Sequence, residues 1–441
     1  MTFNSIAGGS ASPRGPVGAG FLFLTVLLGG CGPEVGPEDQ AVRMDPSLPS
    51  DLDACVPAIP EPEVEELAGG LETPWGLAQA PDGRIFVTER PGRIRVVGDT
   101  GLDPEPWATL DTREEAELGL MGIVLSPGFS DDGALYVMGH FLADSEQALP
   151  SWITPVVRRV RARLPGHDEG TRFVSHIYRL SRASGGEIER TRIVSSIPAG
   201  QLHGGGALAF DPSGALLYSV GDAQMPWSAQ DPQRVPGKIL RRRSLSGEPG
   251  SPPRLPDEIV ALGIRNSQGI AVHEASGTVL FIDHGPTGLV PEARRQNRDE
   301  LNVLTESGNY GWPVESGAME EARFLNPVVD WSPAVAPAGL AIEGAAADDP
   351  NRIVAWVASL RGQALHRVEL RRESEGESWR AFCEDRLLEG EYGRLRAVLV
   401  GEEGEVYVAT SNRDGRGRIR EGDDRLLRIR FPGGHLPGGY P

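Results

Sequence analysis

Short apolar runs, each introduced by a polar turn, recur along the whole chain. The phrase reads PDGRIFVTER at Pro81–Arg90, SDDGALYVMGH at Ser130–His140, DPSGALLYSVGD at Asp211–Asp222, ASGTVLFIDHG at Ala275–Gly285, DDPNRIVAWVASLRG at Asp348–Gly362 and GEEGEVYVATSN at Gly401–Asn412. Gly, Pro, Asp and Ser provide the backbone angles and local hydrogen bonds of a tight turn. The Val, Ile, Leu, Phe and Tyr that follow suit the pleated surface of a strand. No stretch shows the strong 3.6-residue spacing of an amphipathic helix. One turn and one strand repeated from end to end, with no linker between copies, predict an all-β fold, a six-bladed β-propeller. Each turn would let a strand deliver its last residues toward a central axis. A β-sandwich or two β-domains would use similar strands and turns, but not one phrase running the length of the chain.

Three segments stand outside the repeat. At the N-terminus, Arg14 precedes an apolar stretch, Val17–Leu28, too short to span a bilayer, and Leu28-Gly29-Gly30-Cys31 resembles a bacterial lipobox. Residues 1–30 are therefore expected to be a lipoprotein-type signal peptide. Cleavage before Cys31 would leave an exported protein, facing the periplasm or the cell surface and membrane-anchored through lipid on that thiol. Residues 31–62, rich in Pro, Asp and Glu, read as a solvated tether, and the propeller as 63–435. Leu142–Phe173, with Arg158, Arg159, Arg161 and Arg163, and Gly288–Arg298 read as long loops.

Composition narrows the partners. With 441 residues and 39% hydrophobic content, the chain buries a core without needing metal or disulfide. A formal charge of -19 repels phosphate backbones and anionic lipid, which excludes nucleic acid and suits a neutral small molecule. If Cys31 is lipidated, only Cys55 and Cys383 remain. They could bridge the N-terminal extension to a late strand or stay as free thiols, and sequence leaves both open.

The chemistry-bearing stretch is LHGGGALAFDPSGALLYSVGD, Leu202–Asp222, with His203 and Asp222 at its ends. It sits in a co-linear series: LETPWGLAQAPDGRIFVTERPGRIRVV (Leu71–Val97), ELGLMGIVLSPGF (Glu117–Phe129), ALGIRNSQGIAV (Ala261–Val272), DHGP (Asp283–Pro286), DELNVLTESGNYGWP (Asp299–Pro313), VAPAGLA (Val335–Ala341), LRGQAL (Leu360–Leu365) and GRLRAV (Gly393–Val398). Together these resemble the glucose/sorbosone dehydrogenase family, the soluble aldose dehydrogenases that use pyrroloquinoline quinone. The resemblance covers about Leu71–Arg430.

The resemblance implies a six-bladed propeller with the quinone and a calcium ion at the top of its axis. His203 would be the general base for the anomeric hydroxyl, since imidazole titrates near neutrality, and Asp222 the carboxylate that orients it. A tricarboxylate cofactor needs fixed cations, and Arg265, Arg361, Arg394 and Arg396 match family positions of that kind, with Lys more usual at Arg361. Arg394 and Arg396, two apart on a strand, share a face. Asn266 and Gln268 would hydrogen-bond the cofactor or satisfy loop backbone, and Glu117 stands where relatives often carry Gln in contact with sugar or quinone. Calcium would be held by carbonyls at the Gly285-Pro286 step, a hard cation on oxygen ligands. Three glycines after His203 would let the backbone approach a flat cofactor. Two departures stand out: relatives usually have Asn directly after the histidine and Arg three residues beyond it, where this chain has Gly204 and Ala207.

The expected activity is oxidation of an aldose at its anomeric carbon to a lactone. An external electron acceptor would be needed, because the chain contains no Cys-x-x-Cys-His haem site. A non-catalytic propeller binding a protein or glycan, or a metal-dependent lactonase, are the rival expectations.

Overall fold

The computed structural model describes residues 52–56, 59–143, 172–245, 259–286, 297–317, 323–343, 349–401 and 404–432. The expected signal segment 1–30, Cys31, most of the 31–62 stretch, Arg158–Arg163 and residues 288–296 of the second loop lie outside them. Among the described residues the strands form six sheets of at least four strands each. In each sheet the strands run antiparallel from an innermost strand outward, in chain order except where the N-terminal strand closes the sixth sheet and a short parallel strand, Gly308–Asn309, joins the edge of the third. The innermost strands are Pro74–Gln79, Leu120–Leu125, Leu208–Phe210, Gly269–His273, Pro337–Ile342 and Leu395–Val400. Each packs beside the next, and the sixth returns to the first. This is a closed six-bladed β-propeller. A cavity of about 360 Å³, walled by all six innermost strands, runs through its centre.

The six turn-strand phrases mark one blade each. In every case the turn closes the first hairpin of the blade, and the strand after it is the second strand, not the innermost. Because such a strand has neighbours on both edges and both faces, its side chains are apolar without alternation. Leu216–Val220 and Ile85–Glu89 are buried at every position. The hairpin turns lie on one face of the ring, so the second strands all end on the other.

The core is distributed between blades. Phe86 and Ile94 of blade one pack with Leu135 and Val137 of blade two, and Leu280 and Trp331 of blade four with Ile353 and Val368 of blade five. Comparable clusters fill the other four clefts. In blade five, His366 donates or accepts at Glu384 Oε1 (2.7 Å) and Ser359 Oγ (3.0 Å), and Trp331 Nε1 donates to the same Glu384 oxygen (2.9 Å). Ser, His and Glu in line resemble a hydrolase triad, but His366 and Ser359 are fully buried, so this network ties strands together and meets no substrate.

The ring closes with the N-terminal strand. Glu63–Ala68 pairs antiparallel with Leu426–Arg430 as the outermost strand of blade six, reinforced by Glu65–Arg428 (2.5 Å) and Glu66–Arg425 (3.0 Å) ion pairs. The end of the expected tether is not solvated throughout. Cys55 forms a disulfide with Cys383, its N–H donates to Asp385, and Leu52 packs on the core of blades four and five. The two cysteines, 328 residues apart, thus pin the segment before the closing strand onto blade five. Cross-linking so long a loop restricts the unfolded chain. Reduction, or Cys55→Ser with Cys383→Ser, should therefore lower stability by about 2–5 kcal/mol, read as a shift in the urea midpoint at unchanged secondary structure.

Candidate active site

All the sequence-predicted site residues fall on the face where second strands end and innermost strands begin. Glu117, His203, Arg265, Gln268 and Arg394 precede or open innermost strands. Asp222, Gly285, Pro286 and Arg361 follow second strands. Cross-bonds hold the two sets together: Asp222 N–H donates to Arg265 O (2.8 Å), and His284 Nε2 bonds Pro337 O (2.7 Å).

His203 and Asp222 meet as the sequence reading requires. His203 Nδ1 lies 2.8 Å from Asp222 Oδ1, with the imidazole 15% and the carboxylate 1% exposed. An Nδ1–H donated to Asp222 leaves Nε2 as the basic lone pair. Gln224 N–H (2.8 Å) and Trp312 Nε1–H (2.9 Å) also donate to Asp222. Burial pushes its pKa up, but His203, Arg265 and the Gln224 N–H outweigh burial, and the net direction is down. His203 itself has φ +61°, a left-handed conformation unusual for a side-chain-bearing residue, and is held there from both ends. Its N–H donates to Glu117 Oε2 (3.2 Å), and its carbonyl accepts from Ala223 N–H (3.3 Å). Glu117 is thereby a paired carboxylate. Its other oxygen accepts from Arg416 (2.8 Å), and although burial opposes ionisation, Arg416 and His203 draw its pKa down.

The arginines form a like-charged cluster. Arg394 is bound to Asp414 by Nε (3.0 Å) and Nη2 (2.7 Å). Arg396 lies over Trp75 (5.6 Å to the ring centroid) and donates to Gln268 Oε1 (2.5 Å). Burial lowers its pKa to about 9. Arg394 and Arg90 push the same way, and Asp414 and Glu117 oppose them. Arg265 lies over Trp312 (5.3 Å) and donates to His284 O (3.3 Å). Buried Nε atoms of Arg265 and Arg396 have no hydrogen-bond partner among the described residues. Crowded, desolvated guanidinium groups with unused donors suit a planar polyanion, so the residues present fit a tricarboxylate quinone. Asn266 spends Oδ1 on Gly205 N–H (3.1 Å), a loop-backbone role, and Arg361 is exposed and bonds Asn297 (2.6 Å) at the edge of the site.

The glycine run answers to the protein itself. A Cβ on Gly204 would lie 2.5 Å from His140 Nε2, one on Gly205 2.6 Å from Gly221 N, and one on Gly206 2.8 Å from Met121 Cβ. Gly205 and Gly206 also have φ +68° and +109°. The close approaches are therefore to blade two, at His140 and Met121, and to Gly221, directly after the second strand of blade three, and the His140 imidazole fills the volume that a side chain at 204 would take. At Gly285-Pro286, Gly285 N–H donates to Asp299 Oδ1 (2.9 Å) and Pro286 O accepts from Asn297 N–H (2.6 Å). Among the described residues no three His, Cys, Asp or Glu side chains gather as a metal cage, so a cation there would rest on carbonyls and on the ligand's own oxygens.

Sequence reasoning missed Arg90, His140, Asp414, Arg416 and Trp312. Arg90 directly follows the second strand of blade one, and His140 lies inside the second strand of blade two, Leu135–Leu142, at the end of its turn-strand phrase, so the repeat itself carried the signal. Two outcomes follow from His140. Gly204→Ala should destabilise by about 1–3 kcal/mol in chemical denaturation, and His140→Ala in that background should recover part of the loss. Burial lowers the His140 pKa from 6.5 to about 4. An imidazole kept neutral in the fold contributes stability that is complete above pH 6.5 and is lost as pH falls toward 4. Acid should therefore cost up to about 3 kcal/mol over that window, a slope that His140→Asn flattens.

The geometry can be set beside known proteins. The sequence profile of the glucose/sorbosone dehydrogenase family matches residues 71–427. An aldose sugar dehydrogenase of Escherichia coli is 24% identical over 372 residues, 80% of this chain and 91% of that protein. The quinoprotein glucose dehydrogenase B of Acinetobacter calcoaceticus is 23% identical over 286 residues, 58% and 54% respectively. Among solved structures, an oxidoreductase (glucose dehydrogenase) of Thermus thermophilus superposes with a TM-score of 0.67 at 35% identity, covering 83% of this chain and 99% of that one. The pyrroloquinoline-quinone-bound aldose sugar dehydrogenase of Streptomyces coelicolor does so at 0.64 and 29%, covering 84% and 99%. With a profile match over most of its length and this fold, the chain belongs to the glucose/sorbosone dehydrogenase family of sugar-oxidising oxidoreductases.

Proposed function

We propose that this protein oxidises an aldose-type sugar at its anomeric carbon to the lactone, with pyrroloquinoline quinone and calcium as cofactors, and passes the electrons to an external acceptor. The observation that carries the reading is the His203–Asp222 pair on the same face as the guanidinium groups of Arg265 and Arg396, which have unused donors. When bound, the quinone supplies the carbonyl that accepts a hydride, and calcium on the Gly285 and Pro286 carbonyls would polarise it.

The chain's own residues do the rest. Arg265, Arg394 and Arg396 would hold the quinone's carboxylates, with Gln268 steadying Arg396. His203 Nε2 takes the proton of the anomeric hydroxyl, so that the electron pair of the C1–H bond can leave as hydride and the sugar is oxidised by two electrons. Asp222 stabilises the imidazolium that forms and keeps Nδ1 protonated throughout. Glu117, neutralised by Arg416, anchors the backbone of His203 without facing the cofactor as a free negative charge.

Export is part of the same proposal. The Cys55–Cys383 disulfide suits an oxidising compartment, in agreement with the lipobox-like Leu28–Cys31. Mass spectrometry of the membrane-extracted protein should find a lipidated N-terminal Cys31. An unmodified N-terminus would remove the anchor.

Reconstitution with calcium and pyrroloquinoline quinone tests the enzyme. Tight quinone binding and aldose-dependent dye reduction are expected. His203→Ala should lower kcat by about 10²–10⁴-fold with quinone affinity retained, and a calcium chelator should weaken both binding and turnover. A wild-type protein that binds no quinone would overturn the reading and leave a binding propeller in its place.

A further inference from the structure

The residues after the third strand of blade four take an unusual path. Gly308–Asn309 leaves its own blade and pairs in parallel with Ala261–Leu262 at the edge of blade three, where all other blade pairings are antiparallel. Tyr310 N–H to Leu262 O (2.9 Å) and Trp312 N–H to Gly263 O (3.1 Å) extend the contact, and Gln230 clamps it through Asn309 and the Trp312 carbonyl. The detour brings Trp312, 2% exposed, against Asp222. Its Nε1–H donates to Asp222 Oδ2 (2.9 Å), the oxygen that His203 does not use, while its ring carries the Arg265 guanidinium at 5.3 Å.

We propose that Trp312 is a positioning residue for the oxidation. The indole edge fixes the carboxylate that orients His203, and the indole face fixes an arginine that receives the cofactor. The inference rests on the reading of His203 as base and Arg265 as cofactor ligand. Without the N–H, Asp222 keeps only the His203 and Gln224 donors on Oδ1, and its buried Oδ2 loses its partner. A less satisfied carboxylate stabilises imidazolium more strongly, and without the indole edge its own plane, and with it the imidazole, is less fixed. The other charged groups that face the pair are Glu117 from blade two, Arg265 from blade four and, through Glu117, Arg416 from blade six. His140 stands behind Gly204. None of them changes in the variants below.

The test contrasts Trp312→Phe, which keeps the ring face and loses the N–H, with Trp312→Leu, which loses both, in the full chain loaded with calcium and pyrroloquinoline quinone. Trp312→Phe should lower kcat about tenfold and move the acid limb of the kcat–pH profile up by about one unit, with the quinone Kd within about twofold of wild type. Trp312→Leu should show the same loss and also weaken quinone binding about tenfold. In wild-type protein without quinone, one indole N–H resonance in a ¹⁵N-Trp spectrum should titrate together with the His203 imidazole, a measurement that stands even if a variant fails to fold. A Trp312→Phe enzyme with wild-type kcat and pH profile, equal quinone weakening in both variants, or no indole resonance that follows His203 would each overturn the proposal. Absence of aldose turnover in wild type would instead count against the enzymatic reading, since the indole titration and the quinone-binding contrast do not depend on turnover.

Discussion

A twisted four-stranded sheet that is apolar on both faces has no stable existence alone. Every blade of this protein must be wedged between two others. That requirement makes the ring all-or-none, because the last cleft closes only when Glu63–Ala68, the first strand of the domain, pairs with Leu426–Arg430, the last. The seam is held by a hydrogen-bonded ladder, flanking ion pairs and the nearby Cys55–Cys383 link, not by continuity of the chain. Once closed, the ring fixes six strand ends and six strand starts at one rim. Groups from blades two, three, four and six thereby meet there, although they are hundreds of residues apart in sequence.

What meets at that rim is costly. Arg394 and Arg90 both depress the protonation of Arg396, and burial removes the water that would screen them. Asp414, Gln268 and the Trp75 face offset part of this, but not all, as the unused Nε donors of Arg265 and Arg396 record. The strain is electrostatic and would be relieved by an anion of matching shape. In that sense the scaffold is made to be incomplete without a ligand.

The blade count, and the meeting of His203, Asp222 and the arginines at one rim, were legible in the sequence because each follows from position within a repeat. One turn-strand phrase gives one blade, and the residue after its strand goes to the rim. The phrase did not reveal which strand of the blade it was, since the second and innermost strands share the same apolar composition. Pairwise contacts were also hidden. Nothing local to Glu117 signals Arg416, 299 residues later. The glycines after His203 looked like clearance for a cofactor, yet the atoms that need the clearance belong to His140, Gly221 and Met121. Trp312 could be placed in a motif but not under Asp222, because a parallel two-residue strand between blades leaves no mark in hydrophobic periodicity.

His140 and Gly204 are coupled through space, since a Cβ at 204 would lie 2.5 Å from the His140 imidazole. An imidazole at one position and a missing side chain at the other occupy a single volume, so neither can change freely. A lineage that gained a side chain at 204 would first, or simultaneously, have to shrink residue 140. The two codons, 64 positions apart, thus behave as one heritable unit. Substitutions around His203 should be read in such pairs, since a side chain added at 204 alone would look like damage that a smaller residue at 140 removes.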